Sequence, residues 1–280
     1  MRVRHAMKSN SAQSTLTLPE YRQSVEQPVK RTILGTRVDV TSYEQARAAI
    51  ARWSYEGSGH YVCVCSVHPV IEAQDDPSFR AIMNGADLVT PDGVPLVWSL
   101  KLLGAAEATR VYGPDLMSVV CGWAAESGTP VGLYGSTPLV LDQLTVNLSA
   151  RYPALRIDYR QSPPFRSLND AERQAEIDAI RASGIRVLFV GLGCPKQERW
   201  MAEHREELDI VMLGVGAAFD YLAGTLRRPP VWMQRVGLEW FFRLLNEPRR
   251  LWRRYLRNNP RFLVLFAEQY VSFRRGGGNR

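Results

Sequence analysis

Cysteine and histidine are scarce in this sequence, which holds four of each among 280 residues. The cysteines, at positions 63, 65, 121 and 194, form neither a disulfide framework nor a Cys-x-x-Cys pair. Cys63 and Cys65 lie two apart in an apolar run and have the pattern of small strand residues. The sequence therefore argues against a disulfide-stabilised secreted domain and a zinc site, and it favours a reducing cytoplasm.

Long apolar runs are also missing. No run approaches the roughly 20 residues that a membrane-spanning helix needs, and the polar start lacks the hydrophobic region of a signal peptide. We therefore expect a cytoplasmic protein that is neither secreted nor integral to the membrane. Residues 1–30, rich in Ser, Thr, Gln and charge, are predicted to form a flexible extension, and residues 274–280 a flexible tail.

Lysine and aspartate are absent from residues 227–280. This segment contains thirteen Arg and three Glu, which give it a net charge of +10. Because the whole chain carries +7, the other 226 residues carry −3. A basic segment of this kind could serve nucleic acid, an anionic membrane surface or a phosphorylated substrate. Aromatic and aliphatic residues run between the arginines at near-helical spacing, which suits the bilayer interface. Pro230, Pro248 and Pro260 are placed to begin or separate its helices.

Upstream of this segment, strand signals alternate with helix signals. The predicted strands are at 32–40, 61–66, 87–90, 130–134, 155–159, 185–190 and 209–213. The predicted helices are at 43–54, 69–74, 77–84, 94–104, 114–127, 137–150, 169–183 and 195–206. The alternation predicts an α/β fold, with a mostly parallel sheet covered by helices on both faces.

Two of the strand signals end in glycine turns, Gly191-Leu192-Gly193 and Gly214-Val215-Gly216. Glycine lets the backbone approach a ligand, and the N-terminus of the next helix offers N–H groups and a positive dipole end to a phosphate. The two turns together form a candidate nucleotide site. Glycine in such turns also serves packing alone, so each turn by itself leaves the question open.

A third strand signal ends in Thr90-Pro91-Asp92-Gly93. The motif places Asp92 at the carboxyl edge of the sheet, where open α/β sheets bind ligands. A carboxylate there can act as a general base toward a hydroxyl group, whereas Asp-Gly is also a common turn. Ser66 and His68 follow the strand at 61–66 and are expected at the same edge.

Together these motifs resemble one family, the WecG/TagA/CpsF glycosyltransferases, which form glycosyltransferase family 26. The similarity covers residues 32 to about 260. The matching segments are Ala86 to Gly93, Arg110 to Asp115, Tyr134-Gly135, Gly191 to Glu198, Gly214 to Asp220, Arg228 to Pro230, Gly237 to Trp240, Glu247 to Arg250 and Arg254-Tyr255. The resemblance implies a Rossmann-like core, at residues 31–225, and a C-terminal helical, membrane-proximal appendage, at residues 226–273, that helps close the site.

The resemblance also implies an activity. Members are inverting, metal-independent enzymes that move a sugar from a UDP-sugar to a polyprenyl-diphosphate-linked sugar during synthesis of exopolysaccharide or another surface glycan. Such an enzyme would need no cofactor and no nucleic acid, and it would lie peripherally on the inner face of the cytoplasmic membrane. Glucose, N-acetylmannosamine and its uronic acid are donor sugars of relatives, and we favour glucose. The sequence does not decide whether the protein forms a homo-oligomer.

The roles of individual residues follow from the same resemblance. Asp92 would be the catalytic base that takes the proton of the acceptor hydroxyl. Gly193, Lys196, Gln197 and Glu198 would form the donor-site loop. The remaining predicted substrate-binding residues are Ser66, His68, Thr90, Arg110, Gly135, Gly216, Asp220, Arg228, Arg250 and Arg254, of which the last three would meet the diphosphates.

One segment departs from the family pattern. Many members have Thr-x-Asn before the Asp-Gly motif, where this chain has Val64-Cys65-Ser66 followed by His68. Ser66 can replace one hydrogen bond, and we assign His68 a positioning role. The departure leaves the sugar undetermined.

Two other classes remain open on the residues alone. A nicotinamide-dependent oxidoreductase would want a third glycine after Gly191-Leu192-Gly193, where this chain has Lys196. A nucleotide-binding or nucleic-acid-binding protein without transferase activity would use the basic segment, and it should then bind any duplex in a salt-sensitive way.

Overall fold

The structure is a computed structural model that describes residues 28–276. Of the two predicted flexible segments, 1–30 and 274–280, residues 1–27 and 277–280 lie outside the described residues. Six parallel strands form one sheet in the order β4-β3-β8-β7-β5-β6, and β1 and β2 form a separate antiparallel hairpin. The strands are β1 (Lys30–Ile33), β2 (Thr36–Asp39), β3 (His60–Cys65), β4 (Leu88–Pro91), β5 (Val131–Gly135), β6 (Ile157–Gln161), β7 (Val187–Gly191) and β8 (Val211–Gly214).

Helices connect these strands and then continue alone to the end of the described chain. They are α1 (Tyr43–Glu56), α2 (Val67–Asp75), α3 (Pro77–Gly85), α4 (Val94–Leu102), α5 (Gly113–Ser127), α6 (Pro138–Arg151), α7 (Asp170–Ala182), α8 (Lys196–His204), α9 (Ala218–Ala223), α10 (Val231–Arg235), α11 (Glu239–Asn246) and α12 (Pro248–Arg274). We call α10 to α12 the C-terminal helices. None of the described helices combines the length and the apolar character of a membrane span.

The sheet has one apolar cluster on each face. On one face, α1, α5, α6 and α9 pack against the strands through residues such as Ile50, Leu116 and Leu144. On the other, α2, α3, α4, α7 and α8 do so through residues such as Ile71 and Ile180. Alternate residues of a strand point to opposite faces, so strands made almost wholly of apolar residues bury both sides. The predicted α/β fold with helices on both faces of a parallel sheet is confirmed.

The single strand predicted at 32–40 is wrong, because the chain turns back within it. Leu34 and Gly35 have φ of 47° and 79°, the pattern of a two-residue type I′ turn that joins antiparallel strands. The sequence analysis missed this turn because leucine rarely adopts positive φ. The hairpin lies beside β4, where the buried Asp39 carboxylate accepts a hydrogen bond of 2.7 Å from the Val89 N–H.

Pro260 does not separate two helices, contrary to expectation. Helix α12 runs for 27 residues with Pro260 inside it, whereas Pro248 stands in its first turn and Pro230 precedes α10, as predicted. A proline inside a helix leaves the carbonyl four residues earlier without its usual donor. That residue is Leu256, which is 63% exposed, so the missing hydrogen bond does not fall in the buried core.

The second half of α12 is packed against the core. Phe262 and Phe266 are buried in the apolar cluster on the α2 side of the sheet. The Gln269 amide accepts a hydrogen bond from the Leu34 N–H and donates one to the Thr32 carbonyl. These contacts fix the far end of the C-terminal helices to the β1–β2 hairpin, so that their near end lies over the carboxyl edge of the sheet.

Candidate active site

The crevice of the sheet lies between the carboxyl ends of β5 and β7. The connection after β5 runs to β6 on one side of the sheet, and the connection after β7 runs to β8 on the other side. The two connections therefore diverge between β5 and β7, and ligands bind at such a point in α/β sheets. The two backbones come very close there. A Cβ atom added to Gly135 would lie 2.6 Å from the carbonyl carbon of Gly191, and the Ser136 N–H donates to the Gly191 carbonyl at 3.1 Å. Only glycine fits at position 135, whose φ is +119°.

The loop after β7 forms one wall of this crevice. Gly193 has φ of +78° and its Cα faces open space, and Lys196 is exposed at the N-terminus of α8. Gln197 is buried, and its Oε1 accepts a hydrogen bond of 3.1 Å from the Gly193 N–H. The Gly193 N–H is therefore occupied within the protein, and the exposed positive group of the loop is Lys196 at the start of α8, a position that suits an anionic ligand.

Gln197 and Glu198 lie beneath the loop and do not reach its surface. The Gln197 Nε2 donates to the Glu198 Oε1 at 2.9 Å, and Glu198 is 1% exposed. Burial raises the pKa of Glu198 to about 7. A Cβ on Gly216 would lie 3.4 Å from the Gln197 Oε1, so this amide packs against both glycine turns. The placement argues for bracing of the two turns, and against the expected direct contact of these two side chains with substrate.

Thr90 is likewise enclosed. Its side chain is fully buried in β4, and its hydroxyl has no hydrogen-bond partner among residues 28–276. Strand alternation points Thr90 toward the helix layer and not toward the crevice opening. This position argues against the expected role of Thr90 in substrate binding.

Asp92 stands at the carboxyl edge, as the sequence predicted. Its N–H donates to the Cys65 carbonyl at 2.8 Å, which joins the ends of β4 and β3. Arg110 holds it from the other side. The Arg110 Nε donates to the Asp92 carbonyl, and the Arg110 Nη2 donates to the Asp92 Oδ1 at 3.2 Å. Burial raises the pKa of Asp92 to about 6, against the opposing effect of Arg110.

Glu239, the first residue of α11, is a member of this cluster that the sequence analysis did not identify. Its Oε2 accepts a hydrogen bond of 2.6 Å from the same Arg110 Nη2. The guanidinium thus lies between a carboxylate of the core and a carboxylate of the C-terminal helices, and it also lies 4.3 Å from the centre of the Tyr112 ring. The only sequence signal was that Glu239 stands in the matched segment Gly237 to Trp240.

Ser66 directly follows β3, and His68 is the second residue of α2. A Cβ on Gly93 would lie 3.4 Å from the Ser66 Cα, so the two strand ends are adjacent as predicted. The His68 Nδ1 accepts a hydrogen bond of 2.9 Å from the amide of Asn258, a buried residue of α12. Burial and the charge of Arg254 lower the pKa of His68 to about 4. His68 is therefore neutral near pH 7 and links the core to α12.

The three predicted arginines are spread along the rim. Arg254 is close enough to His68 to depress its pKa, and Arg250 lies close enough to oppose the pKa rise that burial gives Asp220. Arg228 forms an ion pair of 2.9 Å with Asp115 near the start of α5. Arg254 thus stands by His68, which follows β3, and Arg250 stands by Asp220, which follows β8, whereas Arg228 stands beside the first turn of α5.

No group of three or more His, Cys, Asp or Glu side chains within residues 28–276 is arranged to hold a metal ion. Positive side chains lie along the carboxyl edge of the sheet and under the C-terminal helices: Arg110 and Arg243 by Asp92, Arg250 by Asp220, and Arg254 by His68. Arginines of this kind can bind a diphosphate, and a carboxylate of raised pKa can accept a proton.

A comparison with protein families identifies a match over most of the chain. The family model described as the glycosyl transferase WecG/TagA/CpsF family matches residues 31–276, which is most of the chain. The match includes the sheet, the crevice and the C-terminal helices.

Proposed function

We propose that this chain, which belongs to the WecG/TagA/CpsF glycosyltransferase family, is an inverting enzyme that moves a sugar from a UDP-sugar to a polyprenyl-diphosphate-linked sugar. The observation that carries the proposal is the position of Asp92, a carboxylate of raised pKa that directly follows β4 at the carboxyl edge of the sheet. The product would contribute to an exopolysaccharide or another surface glycan.

The donor diphosphate is proposed to lie on the β7 loop. The α8 helix turns the positive end of its dipole toward this loop, and Lys196, exposed at its first position, adds a full positive charge. Arg250 and Arg254 of α12 are proposed to meet the diphosphates. Departure of UDP develops negative charge on its terminal phosphate, and groups of this kind stabilise that charge without needing to reorganise.

Asp92 is proposed to take the proton of the acceptor hydroxyl. The hydroxyl oxygen attacks the anomeric carbon on the face opposite UDP, the new carbon–oxygen bond forms as the bond to UDP breaks, and the configuration inverts. A single carboxylate base is sufficient for this displacement. A pKa of about 6 leaves Asp92 mostly ionised at pH 7 and still a useful base, because general bases work best with a pKa near the operating pH.

The membrane surface is proposed as the place of action. Ten large apolar residues of the C-terminal helices and the segments between them are exposed: Val231, Trp232, Val236, Phe241, Leu245, Trp252, Leu256, Leu263, Val264 and Val271. Arginines such as Arg249, Arg253 and Arg257 are exposed among them. Apolar side chains in the acyl boundary and guanidinium groups on lipid phosphates would hold the enzyme peripherally on the inner face, where its acceptor lies.

Acceptor-dependent release of UDP tests the proposal. The purified protein is given UDP-glucose, UDP-N-acetylmannosamine or the corresponding uronic acid, with a short polyprenyl-diphosphate-sugar acceptor. We expect release with one donor, with glucose favoured. Asp92→Asn should lower the rate by about 10²–10⁴-fold. The matched control is Asp158→Asn, which removes a surface carboxylate of β6 and should keep the rate.

Two results would contradict the proposal. Equal activity of Asp92→Asn would remove the base from the mechanism. A folded protein that binds duplex DNA in a salt-sensitive way and fails to bind UDP would favour the nucleic-acid-binding alternative.

A further inference from the structure

We propose that Glu239 is a positioning residue for the base: it holds the Arg110 guanidinium away from a full ion pair with Asp92, and so makes base strength depend on the packing of α11. The inference rests on the proposed function, because it assigns Asp92 the role of base. Glu239 would not touch the reacting atoms. It would act through Arg110.

Arg110 lies closer to Glu239 than to the Asp92 carboxylate. One nitrogen, Nη2, donates to both carboxylates, at 2.6 Å to the Glu239 Oε2 and at 3.2 Å to the Asp92 Oδ1. The Nε is occupied by the backbone carbonyl of Asp92. Arg110 therefore gives the Asp92 carboxylate one hydrogen bond, in place of the bidentate pair that an arginine and a carboxylate otherwise favour. The closer partner of the guanidinium is Glu239.

The second oxygen of Asp92 is left for the reaction. Among residues 28–276 the Asp92 Oδ2 has no hydrogen-bond partner, and a Cβ on Gly113 would lie 3.9 Å from it. A carboxylate engaged by one long hydrogen bond keeps an oxygen free to accept a proton. A bidentate pair with Arg110 would occupy both oxygens and weaken the base.

Few charged groups face Asp92, so the contribution of Glu239 can be isolated. The others around it are Arg243 of α11, which opposes Glu239, and three groups that burial keeps neutral near pH 7 by raising their pKa. Those three are Tyr43, Tyr112 and Cys65. Glu239 is the anion of this set, and it raises the pKa of Asp92.

A consequence follows for the order of events. Glu239 belongs to the C-terminal helices, which also carry Arg250 and Arg254. Packing of these helices over the carboxyl edge of the sheet would therefore bring the diphosphate-binding arginines and the partner of Arg110 together. With the helices displaced, the Arg110 Nη2 would keep Asp92 as its carboxylate partner and lose Glu239, and the base would be weaker.

The test compares the full-length protein with Glu239→Gln, which keeps the shape of the side chain and removes its charge. Two quantities are measured from pH 5 to 9. The first is the carbon-13 carboxyl titration of Asp92, assigned by its disappearance in Asp92→Asn. The second is the pH profile of kcat/KM for acceptor-dependent UDP release. We expect the midpoint of the Asp92 titration and the acid limb of the kcat/KM profile, where activity falls as pH falls, to move about 1 pH unit lower. The plateau value of kcat/KM should fall by up to about tenfold.

Two further variants keep the comparison decisive. Glu268→Gln removes an exposed charge at the far end of α12 and should leave the Asp92 titration and the acid limb in place. Glu239→Asp retracts the carboxylate by one methylene group and should shift both in the same direction as Gln, by less. It also provides a second variant if Glu239→Gln fails to fold.

Unchanged titration and acid limb in both Glu239 variants would overturn the inference, even if KM rose. A titration of Asp92 that moves in a protein without transferase activity would overturn the proposed function and support the positioning of Arg110 by Glu239.

Discussion

Strand β7 buries four of its five residues, whereas helix α11, which brings Glu239 to Arg110 and Asp92, buries none. The core edge, meaning the carboxyl ends of β3, β4, β5, β7 and β8, is held by the packing of the sheet. The C-terminal helices meet this edge through polar contacts such as Arg110 with Glu239 and His68 with Asn258, and their apolar anchors, Phe262 and Phe266, lie farther along α12. Substitutions at the core edge should therefore affect folding, and substitutions under the C-terminal helices should affect pH dependence and salt dependence more than folding.

The largest expected effect on stability is at the core edge. Gly135→Ala would push a Cβ to 2.6 Å from the Gly191 backbone, in a conformation that alanine disfavours. We expect a loss of at least about 3 kcal/mol in the free energy of unfolding, measured by urea denaturation, or failure to fold. Gly184→Ala is the matched control, since Gly184 also has positive φ but an added Cβ meets nothing within 4 Å. It should cost only about 1 kcal/mol. Equal losses in the two variants would contradict the close approach of β5 and β7.

An intermediate effect is expected where α12 meets the core. His68 has a pKa of about 4 in the folded protein, below its ordinary value of 6.5. The unfolded chain therefore binds the proton first as pH falls, so stability is fully present above about pH 6.5 and is lost between 6.5 and 4. Between pH 7.5 and pH 5 this residue should account for a loss of about 2 kcal/mol.

The measurement is urea denaturation at both pH values for the wild type and for His68→Gln. The variant has no titrating group at this position, so its own loss over the same range should be smaller by about 2 kcal/mol. Parallel losses would show that His68 is not buried against Asn258.

The smallest effect is expected at the exposed side of α12. Asp75 accepts hydrogen bonds from Arg257 at 3.3 Å and from Arg261 at 2.6 Å, and Arg261 is the main cause of the lowered pKa of Asp75. Because these groups are largely solvated, Asp75→Asn should lower the free energy of unfolding by less than about 1 kcal/mol. In 1 M NaCl the difference should nearly vanish. A larger loss that resists salt would mean that polar contacts hold α12 as firmly as packing holds the sheet.

Much of the core edge was predictable because its signals are local. Apolar runs ending in Gly-x-Gly and in Asp92-Gly93 marked strand ends, and parallel strands bring such ends to one edge. The hairpin at Leu34 was missed, since only the fold forces leucine into positive φ there. Pro260 was misread because the residues that follow it, Phe262 and Phe266, are packed against the core, and that packing is not visible in the local sequence.

The sequence alone determined the alternation of strands and helices, the family, and the place of Asp92 at the sheet edge, since each depends on residues near one another in the chain. Only the tertiary structure decided which partners these residues have. Arg110 and Glu239 lie 129 positions apart, and His68 and Asn258 lie 190 apart. The pKa values of Asp92 and His68 depend on burial and on such distant charges, and those are properties of a position in space that no local pattern contains.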